Sequence, residues 1–117
     1  MTPTQGRAMY RRRMDKDGET VTLRRVNASP TPPTDVSVPA RVMGYQPEEL
    51  VGGINQGQRK VIILAEDVAS SGFPAPIRQG GTDKIIVRGR TLNIQFVDDS
   101  TRRIGDTLLA YELTTSG

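Results

Sequence analysis

"KIIVRGRTLNIQFVDD", residues 84–99, decides the fold. Two β-branched runs flank Arg88–Gly89, a pair short enough to close a two-residue hairpin. Along the second run Leu92, Ile94 and Phe96 fall on one face and Thr91, Asn93 and Gln95 on the other. That period of two marks a strand with one buried side, and it places Phe96 in the core. The expected strands are Lys84–Val87 and Arg90–Val97.

Working outward, the same chemistry recurs. "ETVTLRRV" (Glu19–Val26) reads as a half-buried strand. "VSVPARVMGY" (Val36–Tyr45) reads as another, with Pro39 pointing to an edge or a bulge. "RKVIILA" (Arg59–Ala65) is apolar without alternation, the mark of a central strand covered on both faces. "TLLAYELTT" (Thr107–Thr115) supplies a last strand, after a polar turn at "DSTRRIGD". Between them, "NASPTPPTD" is excluded from a sheet interior by its prolines. Glu66–Ser70 has room for one helical turn before Gly72, Pro74 and Pro76, and Pro47–Leu50 for another. With no βαβ alternation, these elements predict a mainly β protein: a small antiparallel β-barrel or sandwich with long loops and a short N-terminal helix. Residues 1–18 read as a basic arm or short helix, and 19–117 as one barrel domain with a long loop at about 46–58.

Charge is unevenly spread. Of 16 basic and 13 acidic residues, eight basic and four acidic lie within Met1–Arg41, so the excess is N-terminal. Arg11, Arg12, Arg13, Arg24 and Arg25 are therefore the residues expected to face a partner or DNA. Further basic pairs occur at Arg59–Lys60 and Arg102–Arg103, where solvated surface is the simpler expectation. A single-strand-binding barrel would want aromatic platforms, and three Tyr with two Phe supply few.

The sequence contains no His and no Cys. A Ser–His–acid or thiol nucleophile cannot be built from one copy, and cysteine-ligated zinc is excluded. Ser70–Ser71 thus lacks an activating imidazole. The acidic pairs Glu48–Glu49, Glu66–Asp67 and Asp98–Asp99 are explained by helix starts and polar turns. "VGGINQGQRKVII" (Val51–Ile63) imitates a phosphate loop, because Gly52 and Gly57 have the right separation. Gln58 and Arg59 stand where Lys and Ser or Thr are required, and a β-branched run follows where a helix should open. No catalytic, cofactor or metal residue is expected. No apolar run is long enough to span a membrane as a helix, and the basic N-terminus lacks an apolar segment after it, so a soluble protein is expected.

The order "DGETVTLRRV", "VPARVMGYQPEELVGGINQGQRKVIILAEDV", "GFPAPIRQGGTDKIIVRGRTLNIQFVDD" and "RRIGDTLLAYELTTSG" resembles the small head-closure proteins (head–tail joining, or stopper) of tailed bacteriophages. The resemblance covers about Gly18 to Gly117 and is most specific in the second half. It implies a β-barrel assembled as a ring, usually of six copies, between the portal–adaptor assembly and the tail. Such a ring seals packaged DNA in the head and offers the tail a docking surface. The implied partners are further copies of the chain, the adaptor or portal-side connector, and the tail-tube or tail-terminator protein, with packaged DNA near the channel and no membrane. The implied location is the neck of the virion, after synthesis in the host cytoplasm. No enzyme activity and no cofactor are implied.

The resemblance also assigns the long loop at about 46–58 a place, in the channel or against a neighbouring subunit. Glu48, Glu49, Gly52, Gly53, Asn55, Gln56, Gly57 and Gln58 are its expected contact residues, with the glycines allowing it to bend. An exposed edge at Val36–Tyr45, or the terminal strand, is expected to extend a sheet into the next subunit. Two alternatives stay open: another neck or tail ring component, such as a tail-terminator or tail-completion protein, and a nucleic-acid-binding barrel.

Overall fold

The computed structural model describes residues 2–28, 30–44, 58–74, 77–79 and 81–116. The protein is mainly β: six antiparallel strands close into a barrel, with a helix laid on its outside. The barrel strands are β1 (Glu19–Arg25), β2 (Thr34–Gly44), β3 (Arg59–Leu64), β4 (Asp83–Val87), β5 (Arg90–Asp98) and β8 (Ala110–Ser116). A two-stranded hairpin of β6 (Arg103–Ile104) and β7 (Thr107–Leu108) precedes β8. Around the barrel the order is β1-β2-β3-β8-β5-β4, closed by β4 against β1.

Strand alternation fills the interior. Val21 and Leu23 of β1 point inward with Val38 and Ala40 of β2, Val61 and Ile63 of β3, Ile85 of β4, Leu92 and Ile94 of β5, and Leu113 of β8. The hairpin at 84–99 closes as expected, and its turn residues Arg88 and Gly89 both have positive φ, 49° and 80°. A type I′ turn needs that conformation twice, and only glycine adopts it without strain.

Four sequence expectations are corrected. Phe96 is 55% exposed. A β-bulge between Ile94 and Phe96 inserts an extra residue opposite Thr114 and Thr115, which reverses the alternation and turns Val97 inward instead. The expected strand at 107–115 is two elements, because Leu109 interrupts it. Its N–H donates to the Arg102 carbonyl and its carbonyl accepts from the Ala65 N–H. The polar turn before it carries the short strand β6. Finally, the expected free edge of the terminal strand is closed. β8 is hydrogen-bonded to β3 on one side and β5 on the other, while β2 pairs with β1 along 34–40 and with β3 along 41–44. Barrel closure removes the edge that sheet extension into a neighbouring subunit would need at the terminal strand.

β3 is apolar from Val61 to Leu64 because two different surfaces cover it. Val61 and Ile63 face the barrel core, while Ile62 and Leu64 face outward into a second cluster with Met14 and Ala110. Met14 belongs to α1 (Pro3–Asp17), a 15-residue helix. Its start is a capping box: the Thr2 hydroxyl accepts from the Gln5 N–H at 3.2 Å, and the Gln5 side chain accepts from the Thr2 N–H at 2.9 Å. Gly6, Tyr10 and Met14, four residues apart, form the stripe that meets the barrel. A second helix, α2 (Ala65–Ser71), follows β3 and ends at Gly72, whose φ of 82° is the left-handed cap.

Gly6 sits at a close approach between α1 and the side chains of Ile104 and Leu109. A Cβ there would stand 2.6 Å from Ile104 Cδ1 and 2.8 Å from Leu109 Cδ1. Gly6→Val should therefore destabilise the fold by roughly 1–3 kcal/mol through overpacking, despite the better helix propensity of valine. A urea titration of the variant checks this, and unchanged stability would mean that α1 is not seated on Leu109.

Candidate functional site

Closing the barrel gives it two chemically different ends. At one end an ion pair is buried. Arg25, the last residue of β1, and Asp83, the first of β4, are register partners that both point inward. Arg25 Nε and one of its terminal nitrogens donate to the two Asp83 oxygens at 2.7 and 2.8 Å, and the Arg78 N–H adds a third bond at 2.6 Å. The Arg25 guanidinium lies 4.9 Å from the centroid of the Phe73 ring. Phe73 and Ile77, from the connection after α2, are buried beside it. Every acceptor of the carboxylate has a directed donor, so this end is plugged by a satisfied pair.

The opposite end is a shallow basic mouth. Arg59, Arg88 and Arg90 ring a pocket of about 180 Å³ whose floor is Val42, Val87 and Leu92. Arg88 reaches across to Glu19 at 2.5 Å, and Arg59 donates to the Gln58 carbonyl at 3.2 Å. The connection between β2 and β3 leaves this end at Gly44 and returns at Gln58. Its predicted contact residues Glu48, Glu49, Gly52, Gly53, Asn55, Gln56 and Gly57, and the predicted turn at Pro47–Leu50, lie outside the described residues. Gln58 is described, and its side-chain amide donates to Gln95 of β5.

The five arginines singled out from sequence are dispersed. Arg11 clamps α1 to the first turn of α2, with Glu66 at 2.7 Å and Asp67 at 2.6 Å. Arg24 forms a bidentate pair with Asp35, its directly opposite partner on β2, at 2.8 and 2.9 Å. That guanidinium holds the Asp35 carboxyl below the ordinary carboxylate range. Arg25 is 7% exposed, which corrects its expected place on a partner-facing surface: alternation on β1 sends it inward when Arg24 points outward. Arg12 and Arg13 are exposed on α1.

Sequence proximity misled at Arg59–Lys60 as well. Adjacent on β3, they belong to different surfaces, Arg59 to the mouth and Lys60 to the outer face under α1. The mouth arginines were within reach of sequence reasoning, because the turn at 88–89 puts Arg88 and Arg90 at one barrel end. Their meeting with Arg59 depends on closure and was not.

Among the described residues there is no group of three or more Asp or Glu able to hold a metal ion, and no helix long and apolar enough to cross a membrane. No family model, no curated protein and no solved structure matches the chain.

Proposed function

We propose that the chain is a structural connector of the neck of a tailed bacteriophage, working as one subunit of a ring between the portal–adaptor assembly and the tail. The observation that carries this reading is the closed barrel bearing a long β2–β3 connection at its basic mouth. A barrel with an accessory helix is the architecture that the resemblance of residues 18–117 to head-closure proteins implies. In such a ring, Arg59, Arg88 and Arg90 give the end from which residues 45–57 depart a charge complementary to DNA phosphate. With no free edge on the terminal strand, subunits meet through side-chain surfaces, and stability gained by burying such surface suits a chain of 117 residues.

The test uses filled phage heads assembled with the protein. Removal of Leu50–Gln56 should leave rings visible by electron microscopy and let DNA escape from the heads. If heads stay sealed, the loop is not the seal. Pulldown should recover the portal-side adaptor and the tail-tube or tail-terminator protein; recovery of tail proteins alone would make the chain a tail-completion component. Salt-sensitive binding of free duplex by the isolated chain, without either protein partner, would replace the connector with a nucleic-acid-binding barrel.

A further inference from the structure

Outside the barrel, α1 and the outer face of β2 and β3 enclose a pocket of about 390 Å³ that shares no lining residue with the mouth. Met14 and Ile62 are buried in it, Met43 is half-buried, and Met9 stands exposed at the rim. Three thioethers around one cavity suit an aromatic occupant. Their sulfur makes favourable contacts with ring edges, and their unbranched chains adapt to an incoming shape. Arg41 lines the same space from β2.

An aromatic ring stands exposed on the same barrel. Met9, Val26 and Phe96 are the exposed large hydrophobic residues among those described. Phe96 owes its place to the bulge after Ile94, without which alternation would carry it into the core. Asp98 shares the outer face with it, since Val97 between them turns inward. Bonds from the Thr101 hydroxyl and from the Ser100 and Thr101 N–H groups hold the Asp98 carboxyl below the ordinary carboxylate range. It is therefore an anion at neutral pH.

Strand register relates the ring to the pocket. Met43, Lys60, Thr114 and Phe96 form one row across β2, β3, β8 and β5; Arg41, Ile62, Glu112 and Asp98 form the next. In the closed order β2 and β5 are three places apart in either direction, so the ends of each row lie on opposite sides of the barrel. Phe96 and Asp98 are two residues apart on β5, as Met43 and Arg41 are on β2, roughly 6.5 Å in each case.

We infer that Phe96 of one copy seats in the α1–β2–β3 pocket of a second copy of this chain, with Asp98 against Arg41. A neighbour turned about an axis roughly parallel to the strands brings its ring to Met43 and its carboxylate to Arg41 together, because each pair shares a row. The two charges match in sign and in spacing, so the pairing is read from these residues and not from the balance of charge around the pocket. Ring and pocket lie on opposite sides of each barrel, so the contact is head-to-tail, and it makes a closed ring where the rotation closes. The inference rests on the neck reading for that closure alone, and names the surfaces through which such subunits meet.

Sedimentation velocity of the full chain tests it. Association that grows with concentration is expected, and Phe96→Ser should weaken it at least about ten-fold, as loss of a central aromatic anchor does. The ring is exposed, so this variant should keep the wild-type melting curve. The deciding measurement mixes two variants. Phe96→Ser keeps the pocket; Met9→Glu with Arg41→Glu keeps the ring and sets carboxylates against the neighbour's Asp98. Each should be monomeric alone. Their equal mixture should give a dimer and nothing larger, because it holds one working ring and one working pocket per pair. A wild-type chain that stays monomeric, association untouched by Phe96→Ser, or no dimer from the mixture overturns the proposal. Capture of the portal-side adaptor by a monomeric chain, lost in Phe96→Ser, gives the ring to that partner and overturns it too. Failure of the mixture with adaptor capture intact leaves the neck reading standing, and the reverse outcome leaves the contact.

Discussion

Asp83→Ala is expected to cost about 3–5 kcal/mol, because it leaves the Arg25 guanidinium inside the barrel with no counter-charge. Asp83 is fully buried, and its carboxylate accepts two bonds from Arg25 and one from the Arg78 N–H. Removing it strips a charge of its partner and a backbone donor of its acceptor in one step. Set against the roughly 5–15 kcal/mol that hold a domain of this size together, that loss brings the barrel close to unfolding. Urea denaturation gives the free energy, and the melting temperature should fall by at least about 10 °C. Replacing both partners by apolar residues, Arg25→Met with Asp83→Leu, should recover much of the loss, since no unpaired charge then remains. The contrast lies one residue away. Arg24 has equally good bidentate geometry with Asp35, but in solvent, so Arg24→Gln should leave the melting temperature essentially where it was. Similar melting of Asp83→Ala and Arg24→Gln would mean that the barrel end is open to water and the pair is not buried.

That contrast also shows where sequence stops being informative. Alternation in "ETVTLRRV" assigns Val21 and Leu23 to the core, and by the same rule Arg25 follows them inward. Composition argued otherwise: an Arg–Arg pair in a basic N-terminal region reads as surface. The conflict resolves only when β4 brings Asp83 opposite Arg25, across 58 residues of chain. The hairpin at 84–99 was legible because its turn and its alternation are local. Phe96 was not, because the bulge that turns it outward is fixed by pairing with β8 and not by residues near it. The capping box at Thr2 and Gln5 was available in the sequence, and it marks where the helix at residues 3–17 starts. The mouth and the outer pocket were least legible. The mouth gathers cations from two separated segments and the outer pocket from four, and no linear run of charge announces either one.

Phe73→Ala should lower stability by about 3–5 kcal/mol, the usual cost of deleting a buried ring. "GFPAPIRQGG" (residues 72–81) looks like a mere connection, yet Phe73 and Ile77 are each 3% exposed and belong to the main core. The ring covers the end of the barrel from below the Arg25 guanidinium, at 4.9 Å. Its loss therefore acts twice: it opens an apolar cavity, and it lets water reach the Arg25–Asp83 pair. Phe73→Leu separates the two effects. It keeps most of the burial and removes the ring's attraction for the cation, so it should cost only about 1–2 kcal/mol. The damage should also be local. Hydrogen exchange should accelerate first at the amides of Arg78, bonded to Asp83, and Val26, bonded to the Thr82 carbonyl. Amides of Ile62 and Leu64, on the far side of the core beneath α1, should lose protection only as far as global stability falls. A double-mutant cycle between Phe73→Ala and Arg25→Met decides whether the ring and the pair act as one plug. Coupling of about 0.5–3 kcal/mol is expected for groups in contact. Simple additivity would make Phe73 ordinary core packing and leave the ion pair to close the barrel end alone.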